Sequence, residues 1–220
     1  MIMTAKDSWQ GQPVARNRFL HGLFAGYLLL WGWLAIAPVD RGDWLLENVL
    51  AIALVASLVL SVRWFQFSNF SYFLITLFLA FHAIGAHYTY AKVPFGFYLQ
   101  DAFNLSRNPF DRIVHFGYGF LLAYPIRELL MRLAGVRGWW SYYLPVSAAI
   151  AHGGLFEMIE AFAAQIVNPE LGMAYLGTQG DEWDAQKDMA AALSGAILTM
   201  LCTLASSKFL PNRLAGALSS

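Results

Sequence analysis

Charged side chains are scarce in this chain: 13% of its 220 residues are Asp, Glu, Lys or Arg, against roughly 25% in soluble domains. The 14 basic residues cancel the 14 acidic ones, so no basic field exists to gather nucleic acid. Cysteine is almost missing. Cys202 stands alone, which excludes an internal disulfide and any cysteine-based metal site. The sequence also lacks an internal repeat, a low-complexity tract and any linker long enough to separate domains, so one domain is expected. Apolar residues take up the difference, at 58% hydrophobic and 16% aromatic. That balance marks a multi-pass membrane protein, an all-α helix bundle whose first partner is the lipid bilayer.

Residues 1–18 read as a polar tail with Lys6, Arg16 and Arg18, and 210–220 as a second tail. Between them, 19–209 divides into six apolar stretches, about 19–38, 44–62, 70–88, 111–132, 139–167 and 184–209. About 20 residues suffice to cross the hydrocarbon core. Ala35-Ile36-Ala37 has the look of a signal-peptidase site. Pro38 follows it, however, and the apolar run is long, so an uncleaved first span is expected. Asp40 to Asp43 reads as a tight polar turn, Glu47 as a first-turn acid at the interface, Pro125 as a kink and Arg127 with Glu128 as an ion pair.

Six spans place both termini on one side. The tails and even-numbered connections hold Lys6, Arg16, Arg18, Arg63, Arg127, Arg132, Arg137, Lys208 and Arg213. The odd-numbered connections hold Arg41, Lys92, Arg107, Arg112 and Lys187. The excess on the first side predicts cytoplasmic termini.

Alternating topology then gathers the ionisable residues at the opposite face. His82 and His87 close the third span, Asp111 and His115 open the fourth, Glu157 and Glu160 lie in the outer half of the fifth. The run from Gln179 to Asp188 leads into the sixth, and a helix starting near Asp181 would align Asp181, Asp184 and Asp188. An acidic first turn favoured by the helix dipole explains one or two of these acids. Ionisable groups inside a span are costly and mark function. Asp111 and His115 are one turn apart, so the carboxylate can orient the imidazole. Glu157 and Glu160 share a face, where close carboxylates share a proton or bind a cation. His152, His21, the Tyr88, Tyr90, Trp139 and Trp140 belt, and Gly117, Gly119, Gly153, Gly154 and Gly195 with Ala196 are most simply packing and interface residues.

The motifs His87-Tyr88-Thr89-Tyr90, Asp111-Arg112-x-x-His115-Phe116-x-x-Gly119, Glu157-x-x-Glu160 and Gln179-Gly180-Asp181-x-Trp183-Asp184-x-x-x-Asp188-Met189 resemble the YjdF-like family. The resemblance covers roughly 20–208. It implies a bacterial inner-membrane protein without an established activity. Asp184-x-x-x-Asp188 followed by Gly195-Ala196 is also similar to the final helix of VanZ-like membrane proteins, although Ala192 replaces their usual Asn.

Three functions fit these residues. The first is a metal-dependent intramembrane hydrolase acting on a lipid or envelope precursor. It would hold zinc, iron or manganese on His87, His115, Glu157 and Asp188, with Glu160 and Asp184 as catalytic residues. The four ligands should then converge to within about 5 Å. The second is a proton- or cation-coupled transporter, and the third a structural or regulatory protein whose polar cluster joins helices. A one-sided cluster suits alternating access poorly.

Overall fold

The computed structural model describes residues 14–209 except Asn168, and among them it contains helices and no strand. Among the described residues a 3-10 turn, Val14–Arg16, leads into eight α-helices. Six are long: α1 (Arg18–Leu34), α2 (Arg41–Ser61), α3 (Asn69–His87), α5 (Phe110–Leu133), α6 (Trp140–Ile166) and α8 (Asp184–Phe209). Two are short: α4 (Pro94–Phe103) between α3 and α5, and α7 (Pro169–Leu176) between α6 and α8. By length and composition, α2, α3, α6 and α8 can cross a membrane. The 1–13 and 210–220 tails lie outside the described residues.

Local chemistry sets several helix starts. Asn17 caps α1 by accepting from the Leu20 N–H at 3.0 Å. Asp40 caps α2 by accepting from Gly42 and Asp43 at 2.8 and 3.0 Å. Such side chains take up amide protons that a first turn leaves unpaired. Pro94 opens α4, where its missing N–H costs nothing, and Asn104 closes it in the left-handed region. Pro125 and Pro145 lie within α5 and α6, and each helix runs on past its proline.

Helix α5 is the centre. On one side Leu122 packs with Tyr27 of α1, Ala51 of α2, and Ile75 and Leu79 of α3. On the other side Ala123 meets Ala149 of α6, and Ala196 and Met200 of α8. The α5–α8 backbones approach so closely that a Cβ on Gly119 would strike the Ala192 carbonyl, and one on Gly195 the Phe116 carbonyl. Small residues at a crossing permit this approach, which compensates for the missing hydrophobic drive between helices in lipid. Thr199 donates to the Phe120 carbonyl across the same seam. The outside is apolar instead: Leu29 is 76% and Ile166 84% exposed, as a lipid-facing surface requires.

The two ends of the bundle differ. At one, Glu128 accepts from the Ser68 N–H and the Ser68 and Ser71 hydroxyls and pairs with Arg132. The expected Arg127–Glu128 pair is replaced by this network. The Arg127 guanidinium lies over the Tyr142 ring instead, 4.5 Å from its centroid. The other end carries the C-termini of α3 and α6, the N-termini of α2, α5 and α8, and both short helices.

Candidate functional site

The loop before α5 anchors the site. Asn108 is buried, accepts from the Phe110 N–H at 3.1 Å and donates to the Val93 carbonyl at 3.0 Å. Its backbone N–H and C=O are both taken by the Gln179 side-chain amide, at 3.0 and 3.1 Å. The stretch before α8 is thereby locked to the stretch before α5.

Arg107 comes next and is 5% exposed. It pairs with Asp184, reaches Asp111 Oδ2 at 3.4 Å, and donates to the carbonyls of Thr178 and Gly177 at 3.1 and 3.3 Å. Arg112 pairs with Asp181, lies 3.4 Å from Asp184 Oδ1 and has its Nε 3.9 Å from Asp188 Oδ1. Helix α8 begins at Asp184, so Asp181 belongs to the preceding turn and not to a shared helical face. The three acids still meet, because Arg112 reaches all of them. Lys187 binds both Asp181 oxygens, at 2.9 and 2.7 Å. That ammonium, with the Trp183 N–H and Arg112, holds the Asp181 carboxyl well below its ordinary value.

Deeper along α5 and α8, Asp111, His115 and Asp188 each bring one ligand atom within 4.8 Å of the others. His115 Nε2 is 3.5 Å from Asp111 Oδ1 and 3.7 Å from Glu157 Oε1. The Asp188 Oδ1 and Glu157 Oε1 atoms are buried without a hydrogen-bond partner among the described residues. Buried carboxylate oxygens are ordinarily hydrogen-bonded. An imidazole and two carboxylates, one with a free buried oxygen, suit a hard or borderline divalent cation.

This group borders a cavity of about 480 Å³. Its polar end carries Asp111, His115, Glu47, Glu160, His82 and Tyr90, whereas Leu54, Phe78, Leu122 and Ile126 line the rest. Helix α7, through Tyr175, and Gly177 just after it border the polar end, and α7 packs on both α2 and α6. His82 Nε2 faces the Glu47 carbonyl at 3.1 Å and must donate to it, so Nδ1 accepts from the Tyr90 hydroxyl at 2.5 Å. Burial pushes the Tyr90 phenol well above its ordinary value. The Tyr90 ring lies where a Gly85 Cβ would be.

Of the expected residues, the fold brings together His115, Glu157 and Asp188, with Asp184 beside them on the arginines and Glu160 on the cavity wall. His87 does not join. Its Nδ1 is 2.7 Å from the Leu34 carbonyl and its ring lies against Tyr88, so it ties the end of α3 to the end of α1. The α3 C-terminus directs His82 inward and His87 toward α1. Asp111 takes the place expected of His87.

Two further groups escaped the sequence reading. Asp43, expected in an exposed turn, is 1% exposed, and Glu47, expected at the interface, is 5% exposed. They are one helical turn apart, the same signal that singled out Asp111 and His115. Arg107 left only its four-residue spacing to Asp111.

A family model described as "Predicted membrane protein (DUF2238)" matches residues 19–208. The chain is 39% identical over 167 residues to the inner membrane protein YjdF of Escherichia coli (strain K12), covering 76% of this chain and 79% of that protein. No solved structure matches. The chain is a membrane protein and belongs to the DUF2238 family.

Proposed function

We propose that the chain is a metal-dependent intramembrane hydrolase of the bacterial inner membrane, acting on a lipid or envelope precursor. The observation that carries the proposal is the convergence of Asp111, His115 and Asp188 within 4.8 Å, with a buried Asp188 oxygen that has no hydrogen-bond partner among the described residues, at the head of an amphipathic cavity. Those three residues would hold zinc, iron or manganese. A divalent cation there would lower the pKa of a bound water and polarise an ester or phosphoryl oxygen. Glu157, whose Oε1 has no hydrogen-bond partner among the described residues and is 3.7 Å from His115 Nε2, would accept a proton from an attacking water. Asp184 becomes a positioning residue, since Arg107 and Arg112 occupy it. Glu160 serves the cavity wall.

Protein purified without a His tag or chelator should carry near-stoichiometric metal by elemental analysis. His115→Ala should lose most of it, and EDTA should lower the melting temperature of the wild type and not of that variant. Metal-free wild type with EDTA-independent melting overturns the proposal.

The topology that goes with it has six spans, α1, α2, α3, α5, α6 and α8, and cytoplasmic termini. The segment closing the site would then face the periplasm, as the relative's inner-membrane location allows. In a Cys202→Ser background, Met173→Cys on α7, where the side chain is 63% exposed, should react with a membrane-impermeant maleimide in intact spheroplasts. Arg137→Cys should react only after lysis. The reverse pattern overturns the orientation.

A further inference from the structure

The cavity has a second polar corner that the metal reading leaves unused. Glu47 of α2 is 5% exposed, lines the cavity, and has an Oε2 with no hydrogen-bond partner among the described residues. One turn earlier Asp43, 1% exposed, has neither carboxylate oxygen partnered. Glu160 of α6, 9% exposed, lines the same cavity. Arg107 is committed to Asp184, Arg112 to Asp181 and Arg41 to the Ala35 carbonyl, and Lys92 acts on Asp43 without bonding to it. Among the described residues, no lysine or arginine lines the cavity at all. A buried carboxylate without a counter-charge is costly, and Glu47 and Glu160 both border the cavity.

Among the described residues, no close helix contact walls the cavity on its α2–α6 flank. Helix α2 packs on α3 and α7 rather than along α6. Leu50 of α2 and Leu155 of α6 both line the cavity and are 37% and 54% exposed. Leu50 lies nine residues into α2, about 13 Å at 1.5 Å per residue, so the mouth sits at the depth of acyl chains and not of water. Helix α7 roofs the polar end above it. Aromatic faces from Phe78, Tyr118, Phe156 and Tyr175 line the path, a surface that accepts cations and alkyl chains alike.

We infer that the cavity takes, sideways from the bilayer between α2 and α6, an amphiphile whose head is an ammonium group seated on Glu47 and Glu160 and whose tail lies along Leu54, Leu122 and Ile126. The inference rests on the amphiphile part of the proposed function and is independent of the metal. A volume of about 480 Å³ is in the range of cavities that enclose a small organic ligand. An anionic or neutral head would leave the Glu47 oxygen unpaired, whereas an ammonium supplies the missing charge and hydrogen bonds together. If metal and amine are both bound, the substrate class is a lipid with a labile ester or phosphoester one short spacer from an amine.

The test uses the full chain in maltoside micelles with excess EDTA, so that loss of metal cannot mask or mimic the result. Dodecyltrimethylammonium and dodecyl sulfate, each below its micellar concentration, are titrated against melting temperature and intrinsic tryptophan fluorescence. Dodecyltrimethylammonium should bind and stabilise, and dodecyl sulfate should not. Glu47→Gln should weaken the ammonium by about tenfold, the worth of one charge-assisted hydrogen bond, while Glu182→Gln, an exposed acid outside the cavity, leaves it unchanged. If Glu47→Gln fails to fold, Leu155→Trp at the mouth decides, since it should block entry. Native mass spectrometry then separates the sources. Retention of phosphatidylethanolamine over phosphatidylglycerol identifies a lipid headgroup, and binding of the alkylammonium alone a free amine. Equal binding of both surfactants, wild-type affinity in Glu47→Gln or in folded Leu155→Trp, or an equal loss in Glu182→Gln overturns the inference.

Discussion

Replacing Arg107 by alanine is expected to be the most damaging single change in the chain, costing about 3–5 kcal/mol, the range for breaking one side of a buried ion pair. Arg107 and Asp184 are 5% and 6% exposed at their side chains, so water cannot solvate the acid left behind. The same guanidinium holds Asp111 and the carbonyls of Gly177 and Thr178. Its loss therefore releases the turn before α8 together with the start of α5. Arg107→Lys should recover part of the stability, since an ammonium restores the charge but cannot span four acceptors in one planar fork. Removing both charges, as Arg107→Met with Asp184→Leu, should cost less than Arg107→Ala alone, because the buried Asp184 carboxylate is no longer left without its partner. Unfolding in detergent, followed by fluorescence or by protease resistance of the α8 start, measures the series. A double variant worse than Arg107→Ala would mean that the pair acts through shape and not charge.

The second large effect is expected at the α5–α8 seam. A Cβ on Gly119 meets the Ala192 carbonyl, and one on Gly195 meets Phe116 O and Phe120 N, all backbone atoms that no rotamer change can move aside. Gly119→Ala and Gly195→Ala must therefore push the helices apart, at about 1–3 kcal/mol for an overpacked contact. The Thr199 bond to Phe120 would be lost as well. Gly117→Ala is the control, since nothing lies within 4 Å of its Cβ position. There alanine should be neutral or stabilising by up to about 1 kcal/mol through helix propensity. The seam also sets the site, because Asp111 and His115 ride on α5 and Asp188 on α8. Gly195→Ala should accordingly loosen metal retention without touching a ligand. A Gly119→Ala protein as stable as wild type, with unchanged metal content, would show that the helices have room to spare.

Much of this protein was legible in its residues because lipid imposes a simple rule. A span must be long, apolar and helical, and the six long helices coincide with the six apolar runs to within a few residues at most ends. The gathering of Asp111, His115, Glu157, Asp184 and Asp188 at one end followed from alternating direction alone, since it required only depth along each helix. Helices α4 and α7 were not legible. Each is short, and each is held from outside: α4 through the Asn108 side chain, which bonds to Val93 and occupies the space beside Gly96, α7 through the contact of Gly172 with the Ala164 backbone.

Rotation about each helix axis was the other missing quantity. Depth places His87 with the cluster, but its ring reaches the Leu34 carbonyl of α1. Depth places Asp43 and Glu47 at a wet interface, yet α7 packs on α2 at that end and both are buried. Which side of a helix a residue occupies is settled by its neighbours, and those neighbours come from segments far away in the chain. Composition and periodicity thus determined the class of protein, the long helices and the end that holds the chemistry. Only the packing of α5 on α8, and of α7 across α2 and α6, decided which acids meet a histidine, which meet an arginine and which face the cavity. Those choices depend on backbone approach at Gly119 and Gly195 and on a short covering helix, neither of which has a signature in local sequence.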